Sequence, residues 1–337
     1  MEKHRKLLII AILAGSAVAV ALFLWQRTAR IPQAARLLPE GDIVLYANLK
    51  PVRLFDSNQS RPVQPEGDYR DFVEQTGIQF ERDLDEVAIS RKDTTDGTDT
   101  ESSEVFVGRF NQQRLRSYLE KISTEKSDYR DHTIFTVPHE GHTVRVSILD
   151  EQRVAVTNMQ SPQPIRGMID AWFKPPAGTR LLREHYRRVP VTALGWMVAR
   201  IPAGSKVPQL PFGLSFDFLE NTVAVASVRY QGDVLLQADV IARSDADAKR
   251  IADDASSFLM LSRGAAQALR LRGADPDVKA AFDSIQVQQN KNVAVFTATL
   301  SQRFLKKVIS DVQAEASTPP TTPSPVSKPR AGPRRRR

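Results

Sequence analysis

Residues Leu7 to Trp25, LLIIAILAGSAVAVALFLW, are 19 consecutive positions without a charge. As a helix rising 1.5 Å per residue they would reach about 28 Å, the thickness of a bilayer's hydrocarbon core. A run with charges at both flanks and no polar stripe does not suit the core of a globular domain. A cleaved signal peptide has a shorter apolar run followed by a small-x-small site, whereas here the small residues lie inside the run and FLWQRTAR follows it. The sequence therefore predicts an uncleaved, single-pass anchor, with Trp25 at the interface. Lys3, Arg5 and Lys6 precede the span and Arg27, Arg30 and Arg36 follow it. The short basic N-terminus with its free amine favours N-in and an exported body. Ala11, Gly15 and Ala19 recur every four residues, a small-residue line along which two such helices could pack into a homodimer.

The net charge of +8 belongs to the ends. Residues 1–36 and 315–337 each carry +5, which leaves the body at −2. A near-neutral body has no broad field to attract a polyanion, which argues against nucleic acid as a partner. The chain has no cysteine, so disulfides, zinc–thiolate sites and thiol catalysis are all excluded.

The organisation expected is a basic N-terminus at 1–6, the anchor at 7–25, a linker at 26–39, one α+β module at 40–175, a second at 176–314, and a disordered tail at 315–337. In the first module DIVLYANL, LDEVAISR and EVFVGRF read as strands, and NQQRLRSYLEKI as a helix capped by Asn111. TIFTV, TVRVSIL and RVAVTN read as strands, and SPQPIRGMIDAWF as a helix with prolines in its first turn. In the second, VTALGWMVARI, NTVAVASVRY and DVLLQADVIAR are strands, with a hairpin across Gln231-Gly232. A long helix capped by Ser244, a strand pair and a last helix from Ser301 complete it. Both halves run strand, strand, strand, helix, strands, helix, as a duplicated module would. The fold class expected is α+β, with antiparallel sheets and helices on one face.

The stretches LLPEGDIVLYANL, GIQFERDLDEVAIS and EVFVGRF resemble the start of the exported α+β domain in uncharacterised, membrane-anchored bacterial proteins. The resemblance covers about the first third of the body. It implies an envelope location and carries no catalytic residues across.

Signs of chemistry are sparse. In PHEGH, His139 and His142 flank Glu140 at a spacing of three rather than the four of a helical zinc site, with Pro138 and Gly141 marking a turn. A metal there would need His132 or a more distant third ligand. Asp93 to Glu101 is acidic, but aligning Gly97 with the invariant glycine of a calcium loop puts Lys92, Thr94 and Ser103 where carboxylates belong. Ser215 in FGLSFD lacks the second glycine of a nucleophile elbow. His185 lies among Arg183, Arg187 and Arg188, which would lower its proton affinity if close. Asp83 with Asp85, and Asp253 with Asp254, read as surface charge. No catalytic residue and no cofactor is assigned.

Six prolines between Pro319 and Pro333 keep the tail extended, and 21 residues at ~3.1 Å each reach roughly 65 Å. Lys328, Arg330, Arg334, Arg335, Arg336 and Arg337 would contact anionic lipid headgroups or an anionic envelope polymer. The reading is a non-enzymatic binding or scaffolding protein of the bacterial envelope, body outside the membrane. The rival classes are an envelope hydrolase whose site comes from distant residues, and an inverted topology that turns the tail toward nucleic acid.

Overall fold

The computed structural model describes residues 31–51 and 53, 67–93, 100–139, 141–203, 220–268 and 276–305. Its framework is one continuous sheet of twelve strands. In chain order they are β1 (Ile43–Asn48), β2 (Leu84–Asp93), β3 (Thr100–Gly108), β4 (Glu125–Tyr129), β5 (His132–His139) and β6 (His142–Ile148), then β7 (Arg153–Thr157), β8 (Ala193–Ile201), β9 (Thr222–Gln231), β10 (Asp233–Ile241), β11 (Gln286–Asn290) and β12 (Val293–Leu300). The order across the sheet is β11-β12-β10-β9-β8-β1-β2-β3-β7-β6-β5-β4, and every pairing is antiparallel. Read outward from the central β1–β8 pair, each half places two hairpin partners next and then its own last strand, β7 or β12. The two halves meet where Leu45 faces Met197.

The helices are α1 (Gln33–Arg36), α2 (Gly67–Thr76), α3 (Phe80–Asp83), α4 (Gln112–Ile122), α5 (Gln163–Phe173), α6 (Arg180–His185), α7 (Asp245–Ala268) and α8 (Pro276–Asp283). Two of the longer ones, α4 and α7, form where the sequence supplies a cap and an apolar stripe. Asn111 Oδ1 accepts from the Arg114 N–H at 3.1 Å, and Leu115 and Leu119 point inward one turn apart. Ser244 Oγ accepts from the Asp247 N–H at 3.1 Å and opens α7, whose Ala248, Ile251, Ala252 and Ala255 are buried. Gly77, at φ 73°, ends α2, and the Arg114 guanidinium donates to the Glu74 and Gln75 carbonyls there.

The expectation of helices on one face is corrected: they cover both. The front face carries Val44, Tyr46, Ala88, Val105 and Trp196 under α1, α5 and α6, the largest core. On the back, α2 and α4 cover Phe135, Ile148 and Val154 in the first half. There α7 covers Val240 and Ala294 in the second. The cause is visible in β5, where neighbours Ile134 and Phe135 point to opposite faces and are both buried. The end of the expected linker is also corrected: Ala34, Ala35, Leu37 and Leu38 are buried within the front core.

Among the described residues no helix is long and apolar enough to cross a membrane. The expected anchor at 7–25, with Ala11, Gly15 and Ala19, lies outside them, as do the tail with its Lys328 and arginines, the final helix beyond residue 305, and Ser215.

Candidate functional site

The histidines singled out in the sequence do not converge. His139 and His142 are direct cross-strand partners, joined by a two-residue turn with Gly141 at φ 81°, and both are exposed. PHEGH is thus the tip of the β5–β6 hairpin. His132 begins β5, seven residues and therefore about 23 Å from His139 along the strand. Its Nε2 lies 3.0 Å from the Leu149 carbonyl, its Nδ1 is buried without a partner, and its ring stands edge-on to Phe173 at 5.4 Å. Among the described residues no three His, Asp or Glu side chains are placed to share a metal ion. The acidic stretch from Asp93 joins β2 to β3, and residues 94–99 lie outside the described residues.

The other titratable groups are mostly braces. Asp83 is buried rather than superficial. Burial pushes its carboxyl up, but the Arg82 guanidinium, the Gln79 N–H and Arg109 outweigh that and hold it below the usual carboxylate range. Asp85 is half-buried against Arg53 and Lys50 and is lowered in the same manner: burial raises it, and the cations overcome the rise. His185 is lowered chiefly by burial; Glu184 opposes this, and Arg188 and Arg200 reinforce it. The sequence pointed to Arg188 correctly and could not supply Arg200, which arrives from β8. Asp253 is exposed and paired with Lys249 at 2.5 Å.

A cluster missed in the sequence lies where α5 ends against β4 and β5. Arg130 Nε meets Asp170 Oδ1 at 2.7 Å, and the same carboxylate accepts from the Tyr129 hydroxyl. The Arg130 guanidinium covers the Phe173 ring at 5.2 Å, Arg166 covers Tyr129 at 5.3 Å, and Arg153 covers Trp172 at 5.2 Å. Arg153 also donates to Gln33 Oε1 at 3.1 Å and so ties α1 to the start of β7. This set can hold rings and carboxylates in place; it brings together no nucleophile with a base. The back face holds one unusual acid, Glu104 on β3, flanked by Ile89 and Val156 on the neighbouring strands. Burial raises its pKa, and a 3.4 Å contact from the Ser102 hydroxyl only partly offsets that.

The two ends of the strands differ sharply. Among the described residues, the exposed large apolar side chains lie at the end marked by Asn48, Gly108, His132 and Gln286. Phe80 lies just before β2, Phe173 ends α5 beside His132, and Val191, 61% exposed, lies just before β8. Met260 and Leu261, 73% and 74% exposed, sit where α7 passes the start of β11, and Val278 is on α8 before that strand. Val228 and Phe258 lie in the same half. At the opposite end, marked by Ile43, Thr157 and Asn290, the described large apolar side chains are buried or partly buried. An open cleft of about 720 Å³ between α7 and β11 belongs to the apolar end and is lined by Leu259, Met260, Arg263 and Val287. Scattered exposed apolar residues are ordinary; their collection at one end is the signal. They come from several elements far apart in the chain, so local spacing could not reveal it.

No protein-family model and no curated protein matches the chain. Among solved structures it is similar to TP0453 in two crystal forms. Form III has a TM-score of 0.48 and 12% identity over 84% of this chain and 99% of that one. Form IV has a TM-score of 0.45 and 11% identity over 82% and 96%.

Proposed function

We propose that the protein is a single-pass, membrane-anchored binding or scaffolding protein of the bacterial envelope, N-in, with a duplicated α+β body outside the membrane. The observation that carries this reading is the uncharged run from Leu7 to Trp25, long enough to span hydrocarbon. The strand order, repeated outward from β1 and β8, supports duplication. Support for binding over catalysis comes from how the notable acids are used: Asp83, Asp85 and Asp170 each close on cations of the same fold. The basic tail serves as a second contact for anionic headgroups or polymers, and the small-residue line for self-association in the membrane. Protease accessibility in intact and permeabilised cells tests the placement. The body is expected to resist protease until the outer barrier is opened and then to be cleaved without breaching the inner membrane. A body cut only after the inner membrane is lysed overturns it.

A further inference from the structure

We infer that Arg183, Arg187 and Arg200 dock the body onto the anionic lipid headgroups of the bilayer that holds Leu7 to Trp25; this rests on the anchored reading above. Residues 178–200 hold five arginines against one glutamate, a local +4 in a body whose total is −2. Three carboxylates take up part of it. Glu184 pairs with Arg180 at 2.8 Å, Glu40 accepts from the Arg180 N–H, and Asp239 lies 3.6 Å from Arg188. Among the described residues no carboxylate is within ion-pair distance of Arg183, Arg187 or Arg200, and all three are exposed. They come from α6, from the 3-10 turn Tyr186–Arg188 and from β8. Arg200 is close enough to act on both Glu184 and His185, so helix and strand present one surface.

Unpaired guanidiniums make a site of positive potential, and the oxygens of a phosphate ester match their planar fork. The path of the chain brings such groups near. Ile31, the first described residue, packs on Gly178, where an added Cβ would lie 3.0 Å from Ile31 Cδ1. The Gly178 carbonyl in turn accepts from Arg183 Nη1 at 2.6 Å. The chain therefore enters the body beside the arginines. Six peptide steps separate Trp25 from Ile31, at most about 21 Å at ~3.5 Å per residue, and they include Arg27 and Arg30. That tether limits the distance to the bilayer and leaves the orientation of the body open. Charge sets the orientation: each basic group near an anionic lipid surface raises the docked-to-undocked ratio about fivefold.

The test uses the full-length protein in phosphatidylcholine vesicles, with or without phosphatidylglycerol, that carry a headgroup-borne quencher. The chain has no cysteine, so a fluorophore can be placed singly. It goes on Ala177→Cys beside the patch, or on Gln231→Cys in the β9–β10 turn at the other end of the strands. Both positions are exposed, so circular dichroism of each variant should match the parent. Quenching at Ala177→Cys relative to Gln231→Cys should be at least about threefold greater with phosphatidylglycerol than without it. Arg187→Gln combined with Arg200→Gln should lower the docked-to-undocked ratio about 25-fold and return quenching to the level the tether alone imposes. Arg187→Lys with Arg200→Lys, which keeps the charge, should retain the excess. The same ratio in both vesicles, or one that the glutamines leave intact while carbonate fails to strip the protein, leaves the anchor standing and overturns the docking. A label that ignores phosphatidylglycerol yet responds to soluble polyphosphate assigns the patch to a polymer and likewise overturns it. Protein recovered apart from the vesicles overturns the anchored reading, and the docking with it.

Discussion

The seven-strand half and the five-strand half share one sheet but are insulated differently. In β3, β5 and β7 both faces are apolar, so Ile134 and Phe135, or Val154 and Ala155, are buried back to back. On the back, β10, β11 and β12 pack on α7, while the front of β9, β10 and β11 carries Arg229, Gln237, Asp239, Gln286 and Gln288. These polar groups link up: Arg229 donates to Gln237 at 3.2 Å, Gln237 to Asp239 at 2.9 Å, and Arg188 reaches Asp239 at 3.6 Å. The first half is thus three layers thick, and the outer strands of the second alternate as a half-wetted sheet does. One strand-pairing scheme accommodates both because register sets only which residues share a face. What covers that face is decided by the helices.

The contrast can be broken most decisively in the core. Phe135→Ala, in the doubly covered half, is expected to cost about 3–5 kcal/mol in urea unfolding, against ~2–4 for Ile251→Ala under α7. A larger loss at Ile251 would show that the five-strand half carries the stability. Next comes Asp83→Asn, about 1.5–3 kcal/mol at neutral pH, because charge-assisted hydrogen bonds are lost. Asp83 is held below its ordinary pKa in the fold, so its contribution is present above the ordinary carboxylate value and fades as pH falls through the depressed one. Unfolding curves of parent and variant should therefore converge at strongly acidic pH. The caps sharpen the comparison further: Asn111→Ala and Ser244→Ala should each cost ~1 kcal/mol, one in each half. The smallest effect has the opposite sign. Burial raises Glu104, so its contribution is present at low pH and is lost as pH rises through its folded value. Glu104→Gln should match the parent in acid and exceed it in mild alkali by less than ~1 kcal/mol. A variant weaker than its parent at both pH values would mean that the carboxylate serves the back face as a charge.

Most elements were legible because their signals are local. Asn111, Ser244, Gly77 and the Gln231-Gly232 turn acted as caps, stops and bends, and β5, β6 and β7 lie where TIFTV, TVRVSIL and RVAVTN predict strands. The acidic and basic edge strand β4, EKSDY, was missed because an edge needs no apolar face and charges there discourage further pairing. Residues 33–38 read as linker because four buried residues in QAARLL are too short a pattern to separate from a tether. The central β1–β8 pair and the second helical layer are long-range facts that no local window contains. The same holds for the site: PHEGH announced its turn, whereas Arg200 beside His185 and the apolar end are assembled only by folding.

The seam between Ile43 and Ala199 also sets a timetable. During synthesis the earliest strand must keep one flank unpaired until more than half of the polypeptide has been made, on the order of ten seconds at ribosomal speed. Its nascent form is therefore exposed to mispairing longer than any hairpin in the chain, and a helper that shields this strand would act on the first half before the second exists.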